Sequence, residues 1–354
     1  MHIPDGYLGP QTCVPMLGVM AVYWSVALRR LKSTLRLRQA PLLALGAAFS
    51  FVIMMFNVPI PGGSTGHAVG AVLVAILLGP WAAGVAVSLA LIAQALLFGD
   101  GGIMAIGANC LIMGVIMPFI GWGIYRLAAS GQPADSARQW IGAAMGGYLG
   151  SCAASIVAGI LFGLQPLIAH DAAGRALYCP FGLGVAVPAM AVEHFLFFGF
   201  VEAMVTALVV VYFQRAAPAM LAAGTTATAG ERKLIPVAAT AIGALIILSP
   251  LGLFLPEKSG TGAAWGEWSG EQLKLELGKT GGEAYVPEGV KMAEEHGWKA
   301  PLPRYALPGQ AKAPPSYLGV AYAASALIGA AVLMVLIMAL SKLLTVKESS
   351  HGVT

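Results

Sequence analysis

YLGVAYAASALIGAAVLMVLIMALS, residues 317–341, runs for 25 residues without a charged side chain. At ~1.5 Å rise per residue, a helix of that length crosses the ~30 Å hydrocarbon layer of a bilayer. Comparable apolar runs lie at 10–28, 41–60, 81–98, 103–125, 139–163, 182–213 and 234–255, and a shorter one at 67–79. The short run cannot cross alone, and a partial span is tolerated only where other protein surrounds it. The pattern predicts an all-α polytopic membrane protein with about nine transmembrane helices.

Composition agrees. The 354-residue chain is 58% hydrophobic and only 10% charged, with a mean hydropathy of +0.79. Soluble domains carry about 25% charged residues, so a soluble globular protein of this size is excluded. The net charge of +4 reads as cytoplasmic-loop lysine and arginine and not as a nucleic-acid surface. Cys13, Cys110, Cys152 and Cys179 form no CxxC, so neither a zinc site nor a disulfide framework is indicated. No Lys or Arg precedes Arg29, so the start lacks the basic region of a signal peptide and is expected to stay in the mature protein.

The few basic residues orient the chain. Arg29, Arg30, Lys32, Arg36, Arg38, Arg126, Arg138, Arg215, Arg232, Lys233, Lys342 and Lys347 fall on one set of loops. The other set holds Arg175 and the bases of one long loop, which weigh little. The C-terminus is expected in the cytoplasm and the N-terminus outside, together with the 60–67 and 99–103 turns and the 164–181 and 256–316 loops. Residues 216–233 are small and aperiodic and read as a cytoplasmic linker. The linker divides a seven-helix unit, 1–215, from a two-helix unit, 234–354, that carries loop 256–316.

Candidate chemistry begins at Met1-His2. The α-amine and the His2 amide nitrogen close a five-membered ring on a metal, and the amide nitrogen and His2 Nδ1 close a six-membered one. Three nitrogens then share a plane, the geometry that Ni(II) and Cu(II) favour. The bland alternative is an ordinary histidine on a frayed end. His67, in PIPGGSTGHAVG on the same side, could supply a fourth nitrogen, or be a hydrogen-bonded loop histidine. Asp100 and Asn109 flank the next turn on that side and are candidates for orienting an imidazole N–H, although Asp-Gly also simply marks a turn. Glu193, His194 and Glu202 lie in the 182–213 run, where ionisable groups serve function or helix–helix hydrogen bonds. With His67, the pair Glu193 and His194 keeps open a membrane metalloenzyme, although no HExxH is present. GKT at 278–280 is not a P-loop, because the position that needs glycine holds Leu273; no ATP site is expected in this chain.

MHIPDGYL at residues 1–8, PIPGGSTGH ending at His67, and LLFGDGGIMAIGANCLIMG at 96–114 resemble the CbiM/NikM family. These are the cobalt/nickel substrate-binding (S) subunits of energy-coupling-factor (ECF) transporters. The resemblance covers residues 1–215. It implies a multi-pass protein of a bacterial or archaeal plasma membrane, not an enzyme, with Co²⁺ or Ni²⁺ as transported substrate. The implied ligands are the Met1 amine, the His2 amide nitrogen and imidazole, and the His67 imidazole. The implied partners are a transmembrane coupling (T) subunit and separate ABC-type ATPase subunits. Docking to the coupling subunit is implied through small residues on the second helix, here Ala44 and Ala48. Residues 234–344 resemble the accessory CbiN/NikN component, fused in this chain, with Ser249-Pro250-Leu251-Gly252-Leu253 where that component has a PDGLE-like string.

Overall fold

The apolar runs become helices that stop where proline, glycine or a polar cluster interrupts them. The computed structural model describes residues 1–34, 39–61, 63–218, 221, 230–279, 283–310 and 313–344. Arg36, Arg38, Gly62, Thr280, Lys347 and most of the linker at 216–233 lie outside the described residues.

Helix α1 is Pro10–Thr34 and α2 is Ala40–Met54. A two-stranded antiparallel hairpin follows, β1 Val58–Ile60 and β2 Ser64–Gly66, with Val58 opposite Gly66. Next come α3 Ala71–Leu78 and α4 Pro80–Ala93, which runs on into a π-helical turn, Gln94–Phe98. Helix α5, Ile106–Asn109, passes through a π-helical stretch, Cys110–Ile116, into α6, Met117–Ala129. Helix α7 is Ala137–Gly163 and α8 is Gln165–Ile168. Helix α9, Leu183–Glu193, joins α10, Gly199–Ala216, through the π turn His194–Phe198. The second unit comprises α11 Gly230–Leu248, α12 Leu251–Ser259, α13 Gly270–Lys279, α14 Glu288–His296 and α15 Pro315–Leu344.

Among the described residues, seven helices are long and apolar enough to cross a membrane. The other two apolar runs form shorter helices, α2 of 15 residues and α3 of 8. Helix α2 ends six residues before the apolar run does, because Asn57, Pro59 and Pro61 turn the chain into the extended hairpin. Helix α3 is bounded by Gly70 and Gly79, both with positive φ (71° and 87°), and Pro80 begins the next helix.

Helix α2 is enclosed. It packs against α4, α11 and α15, and none of its residues is exposed. An added Cβ at Gly329 of α15 would strike the Phe51 ring, and the Tyr322 hydroxyl donates to the Met55 carbonyl at 2.8 Å. Ala44 and Ala48 are therefore 2% and 0% exposed. The expectation that they dock a coupling subunit is corrected: the chain's own second unit covers this helix. The small residues of α7 do serve close packing, since Cβ atoms at Gly142, Gly146 and Gly150 would run into α6.

Arg30 lies over the Trp81 ring at 4.6 Å from its centroid, and Arg126 over Trp122 at 5.6 Å, at one end of the bundle. The opposite end gathers the N-terminal segment, the β hairpin, the 99–105 turn and the loop 256–316. Inside the bundle, buried Glu202 of α10 reaches the start of α3. Its carboxylate accepts from the Val69 N–H at 2.7 Å and the Gly70 N–H at 2.9 Å. It satisfies donors that a helix start leaves free, two residues past His67. Sequence placed Glu202 among the candidate site residues; its observed partners give it an anchoring role. Glu202→Leu would strand both buried donors, at about 1–3 kcal/mol each. We expect a lower thermal midpoint in detergent, with Glu202→Gln, which keeps one acceptor, falling between wild type and Glu202→Leu.

Candidate metal centre

The first nine residues are not a frayed end. Met1, His2 and Ile3 are 8%, 4% and 0% exposed. Asn109 grips Ile3 from both sides: its Oδ1 accepts from the Ile3 N–H at 2.8 Å and its Nδ2 donates to the Ile3 carbonyl at 3.0 Å. The Gly102 N–H donates to the same carbonyl at 2.9 Å. The Asp5 carboxylate accepts from the Ile103 and Met104 N–H groups at 2.9 and 2.8 Å. The Gly9 N–H donates to Gln165 Oε1 at 2.9 Å, and the Tyr7 hydroxyl to the Trp268 carbonyl at 2.8 Å. Gly6 makes the turn at φ 87°, where any Cβ would collide with the Gly289–Val290 backbone beside α14.

The clamp carries His2 to His67, with ring centroids 4.8 Å apart. Their partners assign the tautomers. His67 Nδ1 donates to the Ala68 carbonyl at 3.1 Å, which leaves Nε2 with a lone pair. His2 Nε2 faces Gln94 Oε1 at 3.3 Å and donates to it, which turns Nδ1 toward His67. Gln94 is held in that orientation because its Nε2 donates to the Tyr305 hydroxyl at 3.3 Å, and that hydroxyl in turn donates to Asp100. Burial and the Asp100 carboxylate push the Tyr305 hydroxyl well up from its ordinary value, so it keeps the proton it donates. Burial, helped by the positive Met1 amine and by His2, holds the His67 imidazole well below its ordinary value, in the neutral form that can coordinate.

His67 Nε2, which carries a lone pair, thus faces His2 Nδ1 at hydrogen-bonding distance, 3.2 Å. Asp100 Oδ1 stands 3.4 Å from His2 Nδ1. Two nitrogens in adjacent positions on one ion, each ~2.0–2.1 Å from it, sit about 2.9 Å apart. The observed 3.2 Å spacing of the two imidazole nitrogens is close to that of a metal-bound pair. The Met1 amine is 3.7 Å from Glu267 Oε1, which the second unit supplies. A cavity of about 600 Å³ opens beside these groups, lined among others by His2, Asp5, Asp100, Glu267, Glu294 and Tyr305.

The structure therefore brings Met1, His2, His67, Asp100 and Asn109 to one place. Glu193 and His194 stand within electrostatic reach of the Met1 amine, and His194 of His67. His194 Nδ1 donates to the Met190 carbonyl at 2.8 Å and its ring packs on Phe198. Among the described residues, no group of three His, Cys, Asp or Glu side chains is arranged to hold a metal ion. Sequence reasoning missed Gln94, Asp5, Tyr305 and Glu267. Gln94 had a signal, as the one amide in the otherwise apolar run 81–98; Tyr305 and Glu267 had none, being about 200 residues or more from their partners.

Known proteins match both units. The model for the cobalt uptake substrate-specific transmembrane region (CbiM) matches residues 2–220, and the PDGLE domain model matches 234–346. The chain belongs to the CbiM family. It is 47% identical over 343 residues to the fused nickel transport protein NikMN of Rhodobacter capsulatus, covering 94% of this chain and 95% of that protein. It is 45% identical over 292 residues to the probable fused nickel transport protein LarMN of Lactiplantibacillus plantarum, covering 82% and 84%. A crystal structure of a truncated transition metal transporter superposes with a TM-score of 0.56 at 51% identity, over 60% of this chain and 97% of that one. This CbiM-family chain is a multi-pass membrane protein of metal transport, not an enzyme. The PDGLE match extends over α11 to α15 although Ser249-Pro250-Leu251-Gly252-Leu253 replaces the motif string.

Replacing Asn109 with Leu strands the buried Ile3 N–H and removes one donor to its carbonyl, at about 1–3 kcal/mol. Hydrogen exchange read by mass spectrometry should show the amides of residues 3–8 exchanging faster in Asn109→Leu, while α7 is unaffected.

Proposed function

We propose that the protein is the substrate-binding membrane subunit of an ECF-type importer for Co²⁺ or Ni²⁺. The ion is captured at the outer face by four nitrogens: the Met1 amine, the His2 amide, His2 Nδ1 and His67 Nε2. The observation that carries the reading is two imidazole nitrogens, His2 Nδ1 and His67 Nε2, facing each other at 3.2 Å beside a buried N-terminus. His67 Nε2 supplies the corner that the Met1-His2 chelate leaves open. Loss of the amide proton suits a planar nitrogen field, which favours nickel over harder ions. The relatives are nickel and cobalt transport proteins by name, which supports the same substrates here.

Gln94, Tyr305 and Asp100 act one shell out. They hold the His2 ring by Nε2, so that Nδ1 is the nitrogen presented to the ion. ATP hydrolysis falls to separate ATPase subunits, acting through a membrane coupling subunit, because this chain holds no P-loop. Docking of that subunit uses a surface other than Ala44 and Ala48, which lie inside the chain.

The test is Ni(II) titration of the full chain in detergent, by calorimetry and by the visible absorption of a planar nickel–amide complex. One residue added before Met1 should abolish that absorption, because it removes the amine from the chelate. His2→Ala and His67→Ala should each weaken binding by more than about 100-fold, beyond the 10–100-fold typical of outer-shell changes. An extended protein that binds Ni(II) as tightly as the native one, with the same spectrum, overturns the ligand assignment.

A further inference from the structure

The geometry points to Glu267 as the charge-compensating and positioning residue of the metal site, contributed by the second unit: its carboxylate holds the Met1 amine before the ion arrives and neutralises the complex afterwards. This rests on the four-nitrogen reading above. In that reading a dication meets one amidate and three neutral nitrogens. One proton leaves the amine and one leaves the amide, both to water, and the complex keeps one net positive charge. That charge sits among Met1, His2 and His67, each less than a tenth exposed. A charge so enclosed is costly unless an opposite charge stands beside it.

Three carboxylates are near, of which Glu193 is engaged by the Ser64 side chain. Asp100 is already tied through one oxygen to the Tyr305 hydroxyl and stands against His2. Glu267 stands against the Met1 amine at 3.7 Å, its side chain 28% exposed toward the cavity. Its position is built and not accidental. The Glu267 N–H donates to the Ala264 carbonyl at 2.9 Å, closing a turn. The flanking Trp265 and Trp268 rings pack on Phe181, and Trp265 also on Phe162, with centroids 5.5–5.9 Å apart. The Trp265 backbone N–H donates to Ser64 Oγ at 3.1 Å, which ties the same turn to the hairpin leading to His67. The loop thus reaches the amine end of the chelate while the hairpin reaches the His67 end. The accessory unit becomes part of the binding site.

Glu267→Gln keeps the shape and removes the charge; Glu267→Asp keeps the charge and shortens the arm. Full-length variants in detergent are titrated with Ni(II) beside His2→Ala. We expect Glu267→Gln to bind about 10- to 100-fold more weakly, with Glu267→Asp recovering part of the loss. At saturation all three Glu267 forms should show the native nickel–amide absorption, and their metal-free melting should match wild type. Native affinity in Glu267→Gln, with His2→Ala defective, overturns the role of Glu267 and leaves the four-nitrogen site standing. Native affinity in both overturns the four-nitrogen reading itself. A changed absorption in a Glu267→Gln protein that melts normally overturns the proposal by making the carboxylate a direct ligand.

Discussion

Asn109 holds both backbone groups of Ile3, and the rest of the site depends on that grip. A chain end is ordinarily the most mobile part of a protein, and ordering it costs about 1–2 kcal/mol per residue in backbone entropy. Asn109, Gly102 and Asp5 offset that cost with five hydrogen bonds to and from the first turn. They also fix where His2 stands. Asn109 itself sits where α5 passes into a π-helical stretch, and Gln94 opens another. Extra residues in these turns break the ordinary helical register near the groups that hold His2, in keeping with the placement of π-bulges at functional sites.

From the other side, the second unit roofs the first. The Trp298 indole donates to the Leu96 carbonyl and the Leu302 N–H to the Leu97 carbonyl, just past Gln94. Tyr305, fixed by these contacts, completes the relay from Gln94 to Asp100. The loop therefore satisfies backbone groups that a π turn leaves without helical partners, and supplies side chains to the site in the same stroke. The same unit covers α2 with α15, which closes a face that a separate first unit would leave open to lipid or to another subunit.

The helical membrane class was legible from composition, because 10% charged residues cannot coat a soluble protein of this size. Met1, His2 and His67 were legible as candidates from chelate geometry and from family resemblance. The two-residue spacing of an N-terminal chelate is a local property of the chain. Helix α2 ends at Met54, short of the end of the apolar run at 60, and hydropathy does not register the prolines that force the hairpin. Glu202 drew notice as a charge in an apolar run, but its partners, the N–H groups of Val69 and Gly70, come from 132–133 residues away and no local pattern announces them.

What the sequence determined by itself was therefore local or averaged: which stretches prefer lipid, which end carries the positive charge, and which residues can close rings on a metal. Tertiary structure alone decided that two imidazoles turn a nitrogen toward one another, since the other nitrogen of each donates to an oxygen on a different part of the chain. It alone decided that a carboxylate from residue 267 stands against the amine of residue 1, and that Ala44 and Ala48 lie inside the chain. Hydrogen bonds and charge pairing act over a few ångströms, and only the fold brings residues this distant in sequence within that range.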